Sequence, residues 1–439
     1  MRAETLLFGL LALASTAFSY VVNNGTSCYV FPEHTTHGGQ PVDDTPSILQ
    51  AFDLCGINGT IILSNDTFYV DQVMNTTNLL NCNVEVHGTL IWSTNVPYWL
   101  SHSYSVVFQN LSTAWFFGGT NVTMQGFGKG TFYGNGQTWY DENANNDNQP
   151  GRPQAFTIYN STNVLVDGIT FLQSQFWTSF VSYSQNVTMS NIFVNSTSIN
   201  GNTTVNTDGS DTWNSQDVSY FNWTVQNGDD CIAIKGNSTN IHAKNITCYN
   251  SNGFPIGSVG QDPGQPDYVE NILFEDAVLI ESNNAGWIKA WQGTPTTVSS
   301  NGDNGGGGGG WAKNVTWRNF KLVDVDLPIY ITECIYGGDP SVCDTSTFAI
   351  SDITWQNITG TTLRDLAASI HCTVPCTGLK FIDVDLQTAN ASKGLPSLPL
   401  VYQCANIVGQ NATGQNATGI PCNAWAPNDF PETPLMNYR

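Results

Sequence analysis

The sequence predicts an all-β, single-domain, right-handed parallel β-helix of about ten coils, and three observations carry that expectation. Segments of one type recur: "TNVTMQGFGKGTFYG" from Thr120, "STNVLVDGITFLQS" from Ser161, "SQNVTMSNIFVNS" from Ser184, "STNIHAKNITCYNS" from Ser238, "VENILFEDAVLIES" from Val269, "KNVTWRNFKLVDV" from Lys313, "ISDITWQNITG" from Ile350 and "TGLKFIDVDLQT" from Thr377. Each sets Asn or Asp beside a β-branched residue, alternates with period two, turns at a small polar residue and alternates again. Their spacing is about 23 residues or an extension of it, with no 3.6-period segment between them. A parallel sheet therefore cannot be assembled from βαβ units and has to be made by coiling the chain. A β-sandwich is the competing architecture.

Taken in chain order, residues 1–19 read as a secretory signal: Arg2, an apolar run from Leu6 to Leu13, then small residues at Ala17 and Ser19. Residues 20–439 are expected to form the single domain, because the linker-like Gly305–Gly310 run is followed at once by the repeat at Lys313. No later apolar run reaches the roughly 18–20 residues that span a bilayer. A secreted, extracellular, monomeric protein with no membrane partner is the expectation. Eighteen Asn-x-Ser/Thr sequons, among them Asn58, Asn121, Asn160, Asn245, Asn357, Asn411 and Asn416, point to a glycosylated surface. Eleven cysteines suit an oxidising compartment, and spacing suggests local bridges Cys231–Cys248, Cys334–Cys343, Cys372–Cys376 and Cys404–Cys422. Cys28, Cys55 and Cys82 compete for one N-terminal bridge.

A net charge of −22 with only 13 Lys and Arg argues against nucleic-acid binding, which needs clustered cations to neutralise phosphates. It also suits an acidic working pH, where self-repulsion falls. With no CxxC pair and six scattered histidines, neither a structural metal nor a cofactor is expected.

Three carboxylates stand out. Asp208 lies in "NTDG", and Asp229 and Asp230 follow 21 residues later in "NGDDCIAIKG". One coil returns the chain to nearly the same azimuth, ~4.8 Å along the axis, so the three acids should form one patch. Clustered like charges split their proton affinities, leaving one carboxyl protonated beside an ionised one, as acid/base hydrolysis requires. Strand alternation would send Asp229 and Asp230 to opposite faces. The peptide there must turn, and Gly228 is the residue that permits it. Solvated turn acids or a calcium site are the alternative readings.

In this order, "NTDG", "GDDCIAIKG", "SNGFPIGSVG" and "WIK" resemble the polygalacturonase family of pectin hydrolases, glycoside hydrolase family 28, from about residue 80 to 405. The resemblance implies single-displacement, inverting hydrolysis, with Asp229 as general acid and Asp208 and Asp230 activating water. Such pairs are expected on the order of 6.5–9.5 Å apart. It further implies that the Cys231–Cys248 bridge lies behind the site. Two positions depart from the family pattern: Asn252 stands where the family usually has His, and Trp287 where it usually has Arg, while Lys289 is kept. Asn carries no charge and Trp offers an apolar ring, so a less charged sugar such as rhamnose fits this pocket. Tyr336, in "ITECIYGG", falls where the family commonly has an aromatic residue lining the site.

The substrate expected from this is a pectic polysaccharide or oligosaccharide, cut by an exo-acting enzyme that releases terminal galacturonate from galacturonan or rhamnogalacturonan. An α-L-rhamnosidase is the alternative. The motive for exo action is that 141–153 and 301–311 look able to wall one end of a groove. A pectate-lyase-like enzyme needs a basic residue at the site, and Arg152, Arg318, Arg364 and Arg439 are all remote from the acids in sequence. A non-catalytic carbohydrate-binding β-helix has no need of the full acid trio.

Overall fold

Cys82, Val122, Val164, Val187, Val218, Ile241, Ile272, Val315 and Ile353 stack in register, each paired in parallel with the next across one turn of the chain. None is more than 2% exposed. This column is the period-two pattern of the repeats seen end-on. The structure is a computed structural model that describes residues 19–33, 36–37, 40–143, 149–296, 305–335, 340–389, 398–409 and 419–427. Two further columns complete the core. One runs Leu90, Phe132, Phe171, Val194, Val225, Cys248, Leu279 and Leu322. The other runs Ile158, Val181, Thr212, Ile234, Ile256, Ile288, Ile331 and Ile370. No single coil can bury its apolar face, whereas each Val or Ile enclosed by stacking contributes roughly 1.5–3 kcal/mol. The result is the expected right-handed parallel β-helix.

The Asn that opens each repeat has its own physical role. Asn81 Nδ2 donates to Asn58 Oδ1, Asn121 to Asn81, Asn163 to Asn121 and Asn186 to Asn163, at 2.8–2.9 Å. A second ladder runs from Asp217 through Asn240 and Asn271 to Asn314. These residues sit at φ between 49 and 61°, left-handed backbone that Asn and Asp tolerate far better than a β-branched residue. One coil, Gln216–Gln226, stands between Gln185–Asn195 and Ser238–Tyr249 although it is not among the eight repeats above. It opens on Asp217 beside Val218, as the Ile350 repeat opens on Asp352 beside Ile353, and both aspartates take the same left-handed turn.

Three short helices interrupt a pattern that predicts only strands: Thr45–Cys55, Val96–His102 and Gly136–Asn143. The first covers the open N-terminal end of the solenoid, burying Ile48, Ala51 and Phe52, with the Phe52 ring edge-on to Trp115 at 6.0 Å. An uncapped coil would leave apolar side chains in water. Cys55 on this helix bridges to Cys28, and the four local bridges suggested by spacing all form. Cys82 loses that competition because it is the first inward residue of the β-branched column; burial pushes its thiol up to about 11. No helix among the described residues is long and apolar enough to cross a membrane. Residues 1–18, Tyr336, and parts of the two wall segments, 144–148 and 301–304, lie outside the described residues.

Candidate active site

The sheet carrying the Ile158–Ile370 column turns its other face outward. There Thr157, Phe180, Asp211 and Ala233 are register partners on successive coils. The acids sit just before the strands Ser210–Trp213 and Ile232–Ile234. Gly209 N donates to Asp230 O at 3.0 Å, which fixes the Asp208 turn directly against the Asp229–Asp230 turn of the next coil.

The bend at 227–230 brings both neighbouring carboxylates to one cleft, as expected, but Gly228 serves it differently. Its φ is not in the left-handed region. A Cβ there would lie 2.1 Å from Thr204 Oγ1, so glycine is required for close approach. Asn227 Nδ2 closes the bend by donating to Asp230 O and Thr207 O, both at 2.8 Å. The Cys231–Cys248 bridge follows immediately, tying the strand after the acids to the inward column behind it.

One oxygen from each of Asp208, Asp229 and Asp230 lies within 4.8 Å of the other two. That is tighter than the ~6.5–9.5 Å expected of a pair with water between its members. Stacked coils allow only about one strand spacing between Asp208 and its neighbours. A water held here would rest on the Asp208 and Asp230 oxygens together rather than between two distant groups. The three oxygens are also close enough to chelate a cation, but Lys289 Nζ already stands 2.7 Å from Asp230 Oδ2.

Asp229 keeps partial exposure to the cleft and is held at both oxygens. Oδ2 accepts from Asn206 N at 2.9 Å; Oδ1 accepts from Asp230 N at 2.8 Å and from Asn252 Nδ2 at 3.0 Å. Asn252 is itself fixed, its Oδ1 accepting from Asn283 Nδ2 at 2.6 Å and its carbonyl from Trp287 Nε1 at 2.8 Å. The Trp287 ring is buried, stacked near Tyr330 with Lys289 Nζ 4.7 Å above it. Of the five neighbours the sequence proposes, Asn252, Trp287 and Lys289 therefore converge on the acids, Cys231 lies directly behind them, and Tyr336 is outside the described residues. Trp287 meets the site through its indole N–H and its ring face beneath Lys289, rather than as an open platform.

The proton affinities are split. Burial, then the Asp230 charge, raise Asp229 to about 6 against the opposing pull of Lys289 and two N–H donors. Burial and the charges of Asp211, Asp229 and Asp230 hold Asp208 well above the ordinary carboxylate range. Burial would lower Lys289, but Asp230, Asp229 and Asp208 outweigh it and leave the ammonium above its usual value. Two further groups belong to this site. Asp211 lies three residues past Asp208, and Lys235, inside "GDDCIAIKG", directly follows the strand Ile232–Ile234; a lysine at the end of an apolar strand in so lysine-poor a chain was the available signal.

A solenoid with three convergent carboxylates and a buried ammonium on one of them defines a β-helical glycoside hydrolase. This chain belongs to the glycosyl hydrolases family 28, which residues 68–407 match. It is 36% identical to the alpha-L-rhamnosidase rgxB of Aspergillus niger over 426 residues, covering 95% of this chain and 97% of that one. It is 34% identical to an exopolygalacturonase of Cochliobolus carbonum, over 84% of this chain and 82% of the other. Among solved structures, the endo-xylogalacturonan hydrolase of Aspergillus tubingensis superposes with a TM-score of 0.76 at 26% identity, covering 91% of this chain and 100% of that one.

Proposed function

We propose that this protein is a secreted, exo-acting, inverting pectin glycoside hydrolase that removes a terminal sugar, galacturonate first, from galacturonan or rhamnogalacturonan chains. Asp229 is the general acid, because it is the carboxyl poised near 6 that still faces the cleft. Asp230, with Lys289 on its Oδ2, and Asp208, which shares its patch, hold and activate the water.

The observation that supports exo action is a strap that passes the acids from the coils of Trp177, Phe180 and Trp213 to Gln261, beyond the strand Phe254–Val259. Phe108 packs on Trp177, Phe180 and Trp213, the rings that continue the Asp211 face. The next residue, Gln109, donates through Nε2 to Gln261 Oε1 at 2.6 Å, linking positions 152 residues apart. The described part of the glycine-rich insertion braces the same turn, Gly306 N donating to Gln261 O at 2.7 Å and Gly308 N to Gly260 O at 3.1 Å. A strap that stops the cleft at one end would admit a chain terminus and not a chain interior. Buried Arg152 pins segment 149–154 to Gln175 O and Val205 O, close in sequence to the Asp208 turn.

Galacturonate is assigned first because Lys289 places an ammonium at the acids, where a sugar carboxylate can share it. A second reading, terminal α-L-rhamnose, is favoured by neutral Asn252 on Asp229 and by the similarity to a rhamnosidase. Product analysis on defined pectic oligosaccharides, with digalacturonate and nitrophenyl α-L-rhamnoside side by side, decides between them. Monosaccharide appearing from the first minutes, with the anomeric configuration inverted by proton NMR and little viscosity loss, is the expected result. Early oligomers with a rapid viscosity drop would refute exo action.

The pH profile follows from the same assignment. A general acid works protonated, so activity is expected to fall as pH rises through about 6, the value to which burial and Asp230 raise Asp229. A descending limb of kcat/KM beyond pH 8 would contradict that role.

A further inference from the structure

Lys235 lies inside "GDDCIAIKG" but has no role in the assignment above; its side chain is 5% exposed and reaches the acids. Its Nζ is 3.0 Å from Asp211 Oδ1, 2.9 Å from the Gly257 carbonyl it donates to, and 4.0 Å from Asp230 Oδ2. The Trp177 ring closes the pocket at 5.0 Å. Asp211 is fully buried, and its carboxyl makes no hydrogen bond of good geometry beyond this ion pair. The result is a line of acidic and basic side chains, Asp211, Lys235, Asp230, Lys289, that starts on Ser210–Trp213, passes the two ends of Ile232–Ile234 and crosses Phe254–Val259 to reach Asn284–Ala290.

We propose that Lys235, held by Asp211 and the Gly257 carbonyl, is a positioning residue that keeps the water-activating Asp230 charged and turned toward Lys289. Two fixed ammonium groups approach the same oxygen, Asp230 Oδ2, Lys289 at 2.7 Å and Lys235 at 4.0 Å, and fix its direction better than one. They also offset the charges of three neighbouring acids crowded within hydrogen-bonding or near-contact range. The charged and titratable groups acting on Lys235 are Asp211 and Asp208 around strand Ser210–Trp213, Asp230 from its own coil, and Lys289 from Asn284–Ala290. Tyr220, whose hydroxyl lies 3.1 Å from Ser210 Oγ, borders Asp211 from the core side. Strand Phe254–Val259 contributes only the Gly257 carbonyl.

The test compares K235Q, K235R and D211N in the full-length protein. The first readout rests on the hydrolytic reading and uses whichever of digalacturonate or nitrophenyl rhamnoside the wild type cleaves. Losing the Lys235 cation removes one of the two positive charges beside Asp230 Oδ2. K235Q is therefore expected to move the acidic limb of kcat/KM up by about one pH unit, about a tenfold loss just below the limb, with KM little changed. K235R is expected to restore the limb. D211N replaces a carboxyl that is already protonated at the acidic limb and is expected to leave the limb in place. An unmoved limb in K235Q, or an equal upward shift in D211N, overturns the proposal.

The second readout needs no substrate. Asp211, raised to about 7 by burial against the pull of Lys235, is ionised at pH 8 and protonated at pH 5. The contribution of Lys235 is then largest at the higher pH and shrinks as pH falls. The loss of melting temperature in K235Q is expected to be greater at pH 8 than at pH 5. A difference that does not change with pH marks a packing role and overturns the proposal, even where hydrolysis of the chosen sugars is not observed.

Discussion

Replacing Asp229 by Asn is expected to lower kcat on a pectic oligosaccharide by at least about 10³-fold, with KM close to wild type. The loss corresponds to about 4 kcal/mol of barrier. The substitution is nearly isosteric, and the Asn252 and Asp230 N–H donors can still meet an amide oxygen. What disappears is the proton for the leaving oxygen. A nitrophenolate departs without that proton, so the same variant is expected to lose far less on a nitrophenyl glycoside. Asp208→Asn and Asp230→Asn, which disturb water rather than the leaving group, should show no such rescue. Equal losses of Asp229→Asn on both substrates would remove Asp229 from the acid role.

Replacing Lys289 by Met is expected to destabilise the fold by about 3–5 kcal/mol and to reduce kcat/KM by about 10²-fold at pH 5. The ion pair with Asp230 is almost solvent-free, 2.7 Å long with side chains 5% and 0% exposed. Removing one partner strands the other, leaving Asp230 with Lys235 alone at 4.0 Å. Asp230 then has to take up a proton or lose its orientation, and either outcome removes the base. Methionine keeps contact with the Trp287 face, so packing loss is small and the effect is mainly electrostatic. Denaturant unfolding measures the first expectation and steady-state kinetics the second. A stable, active Lys289→Met variant would show that Lys289 does not hold Asp230.

Much of the architecture was legible because it is periodic. Val164, Val187 and Val218 alternate with polar residues at the same phase in successive coils, and a period-two pattern repeated at one interval has few other solutions. The carboxylates were legible because adjacent coils convert sequence spacing into spatial contact: Asp208 and Asp230 meet because one turn of the solenoid separates them. The helix Thr45–Cys55 answers to an exposed solenoid end that no local pattern announces. Asp211 and Lys235 were passed over because their meaning lies in each other and in Gly257, contributed by different coils.

The sequence by itself determined the solenoid, the four local disulfides and the acid trio, since each follows from spacing along the chain or from motifs within it. Only the tertiary structure decided which cysteine was left free, that Gly228 answers to Thr204 rather than to a left-handed turn, and that Trp287 lies beneath Lys289. It alone joined Gln109 to Gln261, which no spacing suggests across 152 residues. The physical reason is one of range. Repeated local patterns fix which face each side chain takes, but the distances that set charge, proton affinity and groove closure depend on which coils and loops end up side by side.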